Sequence, residues 1–344
     1  MKKKILITGG TGYIGSHTAV ELIKDGFEVI IVDNLSNSNL DVLNGIEEIT
    51  GMRPVFEKFD LCDKKNTSLF FEKHNNIDAI VHFAAFKAVG ESVSNPLKYY
   101  HNNLVSLMNI LECMVNKKIK NLVFSSSCTV YGQPEKLPVD ETAPFQKANS
   151  PYGNTKQISE EIIQDFIKTN SFLKTVSLRY FNPIGAHESG LIGELPLGVP
   201  DNLVPFITQT AIGIRKQLQV FGDDYNTPDG TCLRDYIHVV DLAKAHISSI
   251  KRLLMNNNKS GYEIFNLGTG KGNSVFEVIN TFEKVTGEKI NYRVVNRRPG
   301  DIEQIYASTS YANSELNWKT ELTLGNALYS AWIWEKNYRN KTKK

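Results

Sequence analysis

The sequence predicts an α/β fold in which a doubly wound, mostly parallel sheet of the Rossmann type is joined to a smaller C-terminal lobe. Short apolar strands alternate with helical patterns through the first half of the chain, and a glycine-rich turn follows the first strand. The alternation weakens after Tyr180, where glycine and proline become frequent. We therefore predict one domain over residues 1–180 and a second lobe over residues 181–344, with some segments of the lobe returning to the sheet.

The composition is ordinary for a globular protein, with 41% hydrophobic and 22% charged residues. The net charge is +2 and the basic residues are scattered, so neither nucleic acid nor a membrane surface is expected as a partner. Apolar runs are too short for a signal peptide or a membrane-spanning helix. The four cysteines lie far apart, which favours free thiols in a reducing cytoplasm, and the dispersed histidines predict no metal site.

The glycine-rich turn carries the most specific local pattern. Strands are predicted over residues 4–8 and 27–32, with a helix between them that starts at the turn. Gly10, Gly12 and Gly15 form the G-x-G-x-x-G pattern that lets a backbone approach a pyrophosphate and lets helix and strand pack closely. The N–H groups at the start of this helix are suited to bind phosphate oxygens.

Asp33 follows the second strand, 18 residues after Gly15. A carboxylate at this place accepts hydrogen bonds from a ribose 2′-hydroxyl and repels a 2′-phosphate. The turn and the acid together predict binding of NAD rather than NADP.

Further strands and helices continue the alternation. Strands are predicted over residues 54–59, 78–83 and 121–124, and helices over residues 64–74, 96–117 and from 151 to about 168. Ligands of such sheets bind beyond the carboxyl ends of the strands. A further strand is predicted from about 175 to 183, and in the rest of the chain strands and helices are fewer. The predicted helices lie over residues 203–214, 240–254 and 274–286, and a short strand lies over 219–221. Loops are predicted over residues 185–205, 222–231 and 297–301.

Tyr152 and Lys156 are four residues apart in the helix that Ser150 is placed to cap, so they share one helix face. A nearby cation favours the phenolate and lowers the pKa of a tyrosine from its usual value near 10. The pair alone is more often a surface tyrosine beside a solvated lysine. Together with the glycine turn and Ser127, which follows a strand, it predicts a catalytic set.

Seven segments carry a resemblance to a known family. The chain resembles the UDP-glucose 4-epimerase family of the extended short-chain dehydrogenases/reductases, and the match runs roughly from Lys4 to Trp334. The segments are GGTGYIGSH (residues 9–17), KAVGES (87–92), FSSS (124–127), SPYG (150–153), RYFNP (179–183), RDYIH (234–238) and RPGD (298–301).

The resemblance implies an enzyme that interconverts UDP-galactose and UDP-glucose, as in galactose metabolism, by transient oxidation at the sugar C4. Tyr152 would be the base, Ser127 would donate to the 4-oxygen and Lys156 would contact the nicotinamide ribose. Hydride would pass to bound NAD and return to the opposite face of the keto sugar, so no net oxidation occurs. A homodimer through two helices, one of them over residues 96–117, is implied as well.

The family's ligand contacts also correspond to residues of this chain. Arg234 and Arg298 would bind the diphosphate, because a planar guanidinium matches phosphate oxygens. Phe221 would stack on uracil and Asp301 would hold a uridine ribose hydroxyl. The implied cofactor contacts are Gly9, Gly12, Tyr13, Ile14, Gly15, Asp33, Asn34, Asp60, Leu61, Phe83, Ala84, Lys87, Asn102, Ser125, Tyr152, Lys156 and Tyr180. The implied substrate contacts are Ser127, Tyr152, Asn182, Asn202, Leu203, Phe221, Arg234, Tyr236, Arg298, Asp301 and Ile305.

Ile305 departs from the family pattern at a position that lines the sugar pocket. A tyrosine there accompanies specificity for UDP-glucose and UDP-galactose, whereas a smaller residue leaves room for an N-acetyl group. Isoleucine is smaller than tyrosine but branched and stiff. UDP-glucose and UDP-galactose are the expected main pair, and conversion of UDP-GlcNAc and UDP-GalNAc, as by a UDP-N-acetylglucosamine 4-epimerase, is the alternative.

Two further functions are weighed and disfavoured. Nucleotide-sugar dehydratases and decarboxylases carry a carboxylate directly after the active-site hydroxyl residue, whereas Cys128 follows Ser127 here. A non-catalytic NAD-binding regulator could lose one of the three catalytic residues, and all three are present.

Overall fold

A seven-stranded parallel sheet forms the centre of the computed structural model, which describes residues 2–298 and 301–342. Pro299 and Gly300, inside the loop predicted over residues 297–301, lie outside the described residues, as do Met1, Lys343 and Lys344. The strands in chain order are β1 (Lys4–Thr8), β2 (Glu28–Asp33), β3 (Val55–Lys58), β4 (Ala79–His82), β5 (Asn121–Ser125), β6 (Lys174–Tyr180), β7 (Asn182–Ile184), β8 (Leu218–Phe221), β9 (Leu233–His238), β10 (Tyr262–Leu267), β11 (Gly272–Ser274), β12 (Tyr292–Val295) and β13 (Gln304–Ile305).

Helices connect most of these strands, and a short 3₁₀ helix, Cys128–Tyr131, follows β5. The α-helices in chain order are α1 (Tyr13–Lys24), α2 (Asp41–Thr50), α3 (Lys64–Lys73), α4 (Val89–Ser94), α5 (Pro96–Lys117), α6 (Pro151–Thr169), α7 (Leu203–Ala211), α8 (Val239–Leu254), α9 (Val275–Thr286), α10 (Ser310–Glu315) and α11 (Leu324–Thr342).

The strand order of the main sheet is β10-β6-β5-β4-β1-β2-β3, and all neighbours are parallel. The chain winds outward from β1 in one direction through β2 and β3, and in the other through β4, β5 and β6. This reversal between β1 and β4 places a crevice at the carboxyl ends of the two strands. The predicted doubly wound parallel sheet is confirmed. One edge strand, β10, comes from the second half of the chain.

Both faces of the sheet are buried because side chains alternate along each strand. In β1, Ile5 and Ile7 belong to one hydrophobic core, which α1 and α8 help to form, while Leu6 belongs to a second core on the other face with residues of α3 and α5. All three side chains are fully buried. Helices thus cover both faces of the sheet, and the carboxyl ends of the strands are where polar residues meet.

The C-terminal lobe has its own core, to which α7, α9, α11 and β8 contribute. A second sheet with the order β11-β9-β13, in which β7 also pairs with β9, lies in this half of the chain. A third, two-stranded sheet joins β8 and β12. The boundary at residue 180 stays a prediction.

The helices α2, α4, α10 and α11 were not predicted from the sequence. In α11 the buried stripe includes Ala327, Ala331 and Glu335, which a hydrophobic pattern does not mark as a core face. In α2 the buried hydrophobic side chains are Leu43 and Ile46. The helix predicted over residues 203–214 ends earlier, at Ala211, and Gly213 follows with a φ of +82°.

Candidate active site

The turn between β1 and α1 is shaped by its glycines. Gly9 has a φ of +68°, in the left-handed region that favours glycine. A Cβ on Gly15 would lie 2.4 Å from the carbonyl oxygen of Gly9. Gly12 precedes α1 without a side-chain cap, so N–H groups of the first turn remain available to phosphate oxygens. The turn is therefore built as a phosphate cradle, which fits the pyrophosphate of a dinucleotide.

Asp33 ends β2 beside this turn, and its side chain is buried. Its carboxylate accepts hydrogen bonds from the backbone N–H of Thr11 (3.2 Å) and of Leu35 (2.9 Å), and from the hydroxyl of Ser38 (3.3 Å). These donors fix the carboxylate at the mouth of the crevice, where the ribose of a dinucleotide is expected. The glycine cradle and the anchored acid fit NAD.

The predicted catalytic helix begins as the sequence indicated. The hydroxyl of Ser150 accepts a hydrogen bond from the N–H of Gly153 (3.1 Å), and Pro151 is the first residue of α6. The ammonium of Lys156 donates to the carbonyl oxygen of Ser125 (2.6 Å) and lies 5.9 Å from the ring centroid of Tyr152. The helix therefore places both side chains at the carboxyl end of β5.

Ser127 stands opposite this helix, after β5. Its backbone is extended, and its hydroxyl accepts a hydrogen bond from the N–H of Thr129 (3.2 Å) at the start of the 3₁₀ helix. Next to it, the hydroxyls of Ser125 and Tyr180 are 2.6 Å apart. The structure thus brings the predicted catalytic residues to the carboxyl end of the sheet, in one cluster with Tyr180.

Burial dominates the ionisation of Tyr152 and Lys156, the predicted catalytic pair. Burial raises the pKa of Tyr152, the neighbouring Tyr180 raises it further, and the hydrogen bond to Ser127 lowers it. Burial lowers the pKa of Lys156 to about 8, although the charge of Glu160 raises it. The sequence predicted that Lys156 lowers the pKa of Tyr152. This prediction was wrong for the folded protein, in which the pKa is raised because desolvation disfavours the phenolate.

One large cavity of about 1560 Å³ adjoins all of these groups. Pockets for a single small ligand typically measure about 300–1000 Å³, so the cavity has room for a dinucleotide together with a second ligand. Every residue that the sequence predicted to contact cofactor or substrate lines it. Their individual roles stay predictions.

The arginines predicted to bind a diphosphate reach the cavity from the C-terminal lobe. Arg298 forms an ion pair with Asp301 (3.0 Å) and lies 4.8 Å from the ring centroid of Phe221. Arg234 lies on β9, and its guanidinium donates to the carbonyl oxygen of Leu233 (2.8 Å). The predicted uracil, ribose and phosphate contacts therefore converge at one end of the cavity.

Comparison with known proteins agrees with this arrangement. A family model described as GDP-mannose 4,6 dehydratase, of the extended short-chain dehydrogenase/reductase type, matches residues 6–330. A UDP-glucose 4-epimerase of Bacillus subtilis (strain 168) is 48% identical over 336 residues, which cover 98% of each chain. The chain belongs to the UDP-glucose 4-epimerase family. This also confirms the resemblance on which the sequence-based expectations rest.

Solved structures of the epimerase family have the same fold. The UDP-glucose 4-epimerase of Stenotrophomonas maltophila with bound NAD and formylated UDP-arabinopyranose is 45% identical, with a TM-score of 0.94 over 98% of this chain and 99% of that one. The enzyme of Bifidobacterium longum in complex with NAD⁺ and UDP is 46% identical, with the same TM-score and coverage. Both relatives hold a dinucleotide and a uridine nucleotide.

Glu194 lines the same cavity and was not predicted from the sequence. One of its carboxylate oxygens lies 3.1 Å from the ammonium of Lys87 and accepts a hydrogen bond from the side-chain amide of Asn202 (2.7 Å). Its backbone carbonyl accepts from the indole N–H of Trp334 (3.0 Å). Glu194 therefore links a predicted cofactor contact to a predicted substrate contact. It lies in the loop over residues 185–205, where no periodic pattern marks inward-facing residues.

Ile305 lines the cavity and is buried. It pairs with Arg234 between β13 and β9 and packs in a small core with Cys128, Tyr131 and Phe181. The position expected to discriminate between sugars in this epimerase family is thus held by its neighbours rather than free to move. Any additional space for an N-acetyl group beside Ile305 therefore results from the smaller size of isoleucine compared with tyrosine.

Proposed function

We propose that this protein interconverts UDP-galactose and UDP-glucose by transient oxidation at the sugar C4 with bound NAD. The observation that carries this proposal is the joint placement of Tyr152, Ser127 and Lys156 beside a cavity that also holds the glycine cradle and Arg234. The naming of close relatives as UDP-glucose 4-epimerases supports the same reaction.

Tyr152 takes the proton from the 4-hydroxyl as the C4–H bond breaks and gives it back when the keto sugar is reduced. Its ring is buried at the wall of the cavity, and the neighbouring Ser127 favours the ionised form that results from this transfer. Bound NAD supplies reversible hydride acceptance, which no side chain provides.

Lys156 stabilises the phenolate that forms on Tyr152 during this proton transfer. Its ammonium lies close to the ring and is held by the carbonyl oxygen of Ser125. Because burial raises the pKa of Tyr152, the tyrosine is a phenol at neutral pH, and a nearby positive charge is needed to make it a usable base. Ser127 donates to the 4-oxygen and keeps it aligned with Tyr152.

Arg234 and Arg298 neutralise the diphosphate, while Phe221 and Asp301 contact the uridine. Asn182, Asn202, Leu203 and Tyr236 complete the substrate contacts. UDP-glucose and UDP-galactose are the main pair in this proposal. UDP-GlcNAc and UDP-GalNAc are additional substrates, because isoleucine is smaller than tyrosine and leaves space at the pocket wall beside residue 305, although its branched side chain is stiff.

A homodimer in the cytoplasm is part of the same proposal. The helices α4 and α5 expose Val93 (62% exposed) and Leu97 (80% exposed), which supports an interface that includes α5. Four free thiols support a reducing compartment. None of the described helices combines the length and apolar character required of a membrane span.

The test is conversion of UDP-galactose by purified protein without added cofactor, followed by NMR of the sugar ring protons. We expect UDP-glucose to form, and a heat extract of the protein to contain NAD. Tyr152→Phe should retain NAD but lose activity by a factor of about 10² to 10⁴, as for loss of a general base. No glucose-configured product would refute the proposal, and a dehydrated 4-keto product would show the dehydratase chemistry instead.

UDP-GalNAc offered in a parallel assay decides the range of sugars. Conversion at a rate within about tenfold of UDP-galactose would indicate that one pocket accepts both, since a single added group in a pocket changes discrimination by about 1–3 kcal/mol.

A further inference from the structure

Glu160 is a fully buried acid on the catalytic helix, one turn after Lys156 and two turns after Tyr152. Its carboxylate accepts four hydrogen bonds. The donors are Ser126 Oγ (2.5 Å), Arg179 Nε (3.0 Å), Arg179 Nη2 (2.7 Å) and Tyr262 Oη (3.0 Å).

Two of these donors belong to segments that carry the active site. Ser126 lies between Ser125, whose carbonyl oxygen holds the Lys156 ammonium, and the predicted catalytic Ser127. Arg179 also donates from Nη1 to the hydroxyl of Tyr131 (3.0 Å), in the 3₁₀ helix that begins directly after Ser127. A single carboxylate on α6 therefore joins the catalytic helix to both sides of the serine.

Glu160 is also a negatively charged residue whose charge acts on Lys156. The titratable groups that influence Lys156 or face it are Tyr152 and Glu160 on α6, His82 on β4 and Tyr180 on β6. Burial lowers the pKa of His82 to about 3 and raises the pKa of Tyr180 to about 12, so both are neutral near pH 8. Among the described residues, Glu160 is the one whose charge raises the pKa of Lys156.

We propose that Glu160 is a positioning residue of this active site, which aligns Ser127 through Ser126 and keeps Lys156 charged beside Tyr152. The proposal rests on the function proposed above. It assigns a role to a residue that contacts neither substrate nor cofactor, since Glu160 does not line the cavity. The bidentate pair with Arg179 holds the carboxylate in place.

A second buried pair in the same chain provides a matched control. Glu263 on β10 accepts two hydrogen bonds from Arg252 on α8 (2.7 and 2.9 Å), and both side chains are buried. Arg252 also pairs with Glu315 (3.0 Å). None of these residues lines the cavity. A buried ion pair as such is weak support for stability, so comparing the two pairs separates a general packing role from a role in the site.

The experiment compares Glu160→Gln, Glu263→Gln and Ser126→Ala with the wild type, each measured per mole of folded protein. Glutamine keeps an acceptor for Arg179 and removes the charge. The ionisation of Lys156 is followed by NMR of protein labelled with [ε-¹³C]lysine, with the signal assigned by its absence in Lys156→Met. Activity is measured as kcat and KM for UDP-galactose between pH 6 and pH 10.

We expect Glu160→Gln to lower the pKa of Lys156 by about one unit or more, because an opposite charge has been removed. The fall of kcat at alkaline pH should move to lower pH by the same amount, and kcat at pH 8 should drop about tenfold or more while KM changes less than threefold. Ser126→Ala should lower kcat without moving the pKa of Lys156. Glu263→Gln should leave the pKa of Lys156, the pH dependence of kcat, kcat at pH 8 and KM at wild-type values.

An unchanged pKa of Lys156 in Glu160→Gln would overturn the electrostatic role, and wild-type kcat in Ser126→Ala would overturn the alignment. If Glu160→Gln does not fold, Ser126→Ala still tests the proposal, because it leaves the Arg179 pair in place. The NMR titration does not depend on turnover. If the wild type does not convert UDP-galactose but the pKa of Lys156 is lower in Glu160→Gln than in the wild type, the proposed reaction is refuted and the charge role of Glu160 is not.

Discussion

Gly15→Ala tests whether the turn between β1 and α1 is the dinucleotide cradle. The new methyl group would lie 2.4 Å from the carbonyl oxygen of Gly9 and 2.8 Å from the Cα of Gly10, which is too close for real contacts, so the turn or the helix must shift. The turn cannot yield freely. The N–H of Gly9 is bonded to the carbonyl oxygen of Val32 (2.8 Å), and a Cβ on Gly9 would already lie 2.8 Å from the backbone nitrogen of Ala84.

Overpacking of this kind costs about 1–3 kcal/mol of folding free energy. The same displacement moves the N–H groups that would bind the pyrophosphate. A loss of about 1.4–2.8 kcal/mol in binding free energy corresponds to a tenfold to hundredfold weaker complex with NAD. Gly325→Ala is the matched control, because Gly325 also lies in a helix and its added Cβ would come no closer than 3.3 Å, to a methyl group of Val285.

The assay is the amount of NAD that remains with each protein after gel filtration, measured in a heat extract, together with urea unfolding of each variant. We expect Gly15→Ala to retain less than about one tenth of the wild-type amount and to unfold at lower urea concentration. Gly325→Ala should keep its NAD. Equal retention by the two variants would show that close packing at Gly15 does not shape the cofactor site.

Three further outcomes are expected. Burial lowers the pKa of Lys156 from 10.5 to about 8, so between these pH values the unfolded chain binds a proton that the folded protein lacks. The free energy of unfolding of the wild type should therefore rise with pH over this range, by about a few kcal/mol relative to Lys156→Met. Urea unfolding at pH 8 and at pH 10.5 measures this difference. Glu194→Ala should raise KM for UDP-galactose about tenfold, because the side-chain amide of Asn202 loses its hydrogen-bond acceptor. Glu194→Gln keeps an acceptor and should change KM less than threefold, because the ion pair with half-exposed Lys87 is weak. Ile305→Tyr should abolish any conversion of UDP-GalNAc and leave UDP-galactose as substrate, at a cost of about 1–3 kcal/mol in stability, since Ile305 is buried. Rates for both sugars and a thermal melt check this last result, and retained UDP-GalNAc activity would contradict it.

The elements that the sequence predicted well are those whose signals are local. The turn after β1 needs its glycines within a few residues, and Asp33 follows at a fixed distance. For α5 the predicted range of residues 96–117 agrees with the structure, because Pro96 marks its first turn and apolar residues recur along it. The whole predicted set of ligand contacts lines one cavity because strand ends of a parallel sheet meet at one edge.

What the sequence could not predict depends on which segments pack together. Glu160 has the pattern of an exposed helix acid, and its burial follows only from the placement of Arg179 and Tyr262 beside α6. Glu194 reaches its partners from a loop without periodicity. The raised pKa of Tyr152 arises from desolvation, which the spacing of Tyr152 and Lys156 does not reveal.

The position of β10 has a consequence for how the chain is made. β6 ends at Tyr180, but the strand that pairs with it begins at Tyr262. During synthesis the nascent chain therefore carries an unpaired parallel edge until the second half has emerged from the ribosome, and such an edge can associate with other chains. A fragment that stops at residue 180 keeps this edge permanently. We therefore expect the first half of the chain to need the distant strand to cover its edge, so a shortened protein should keep that strand.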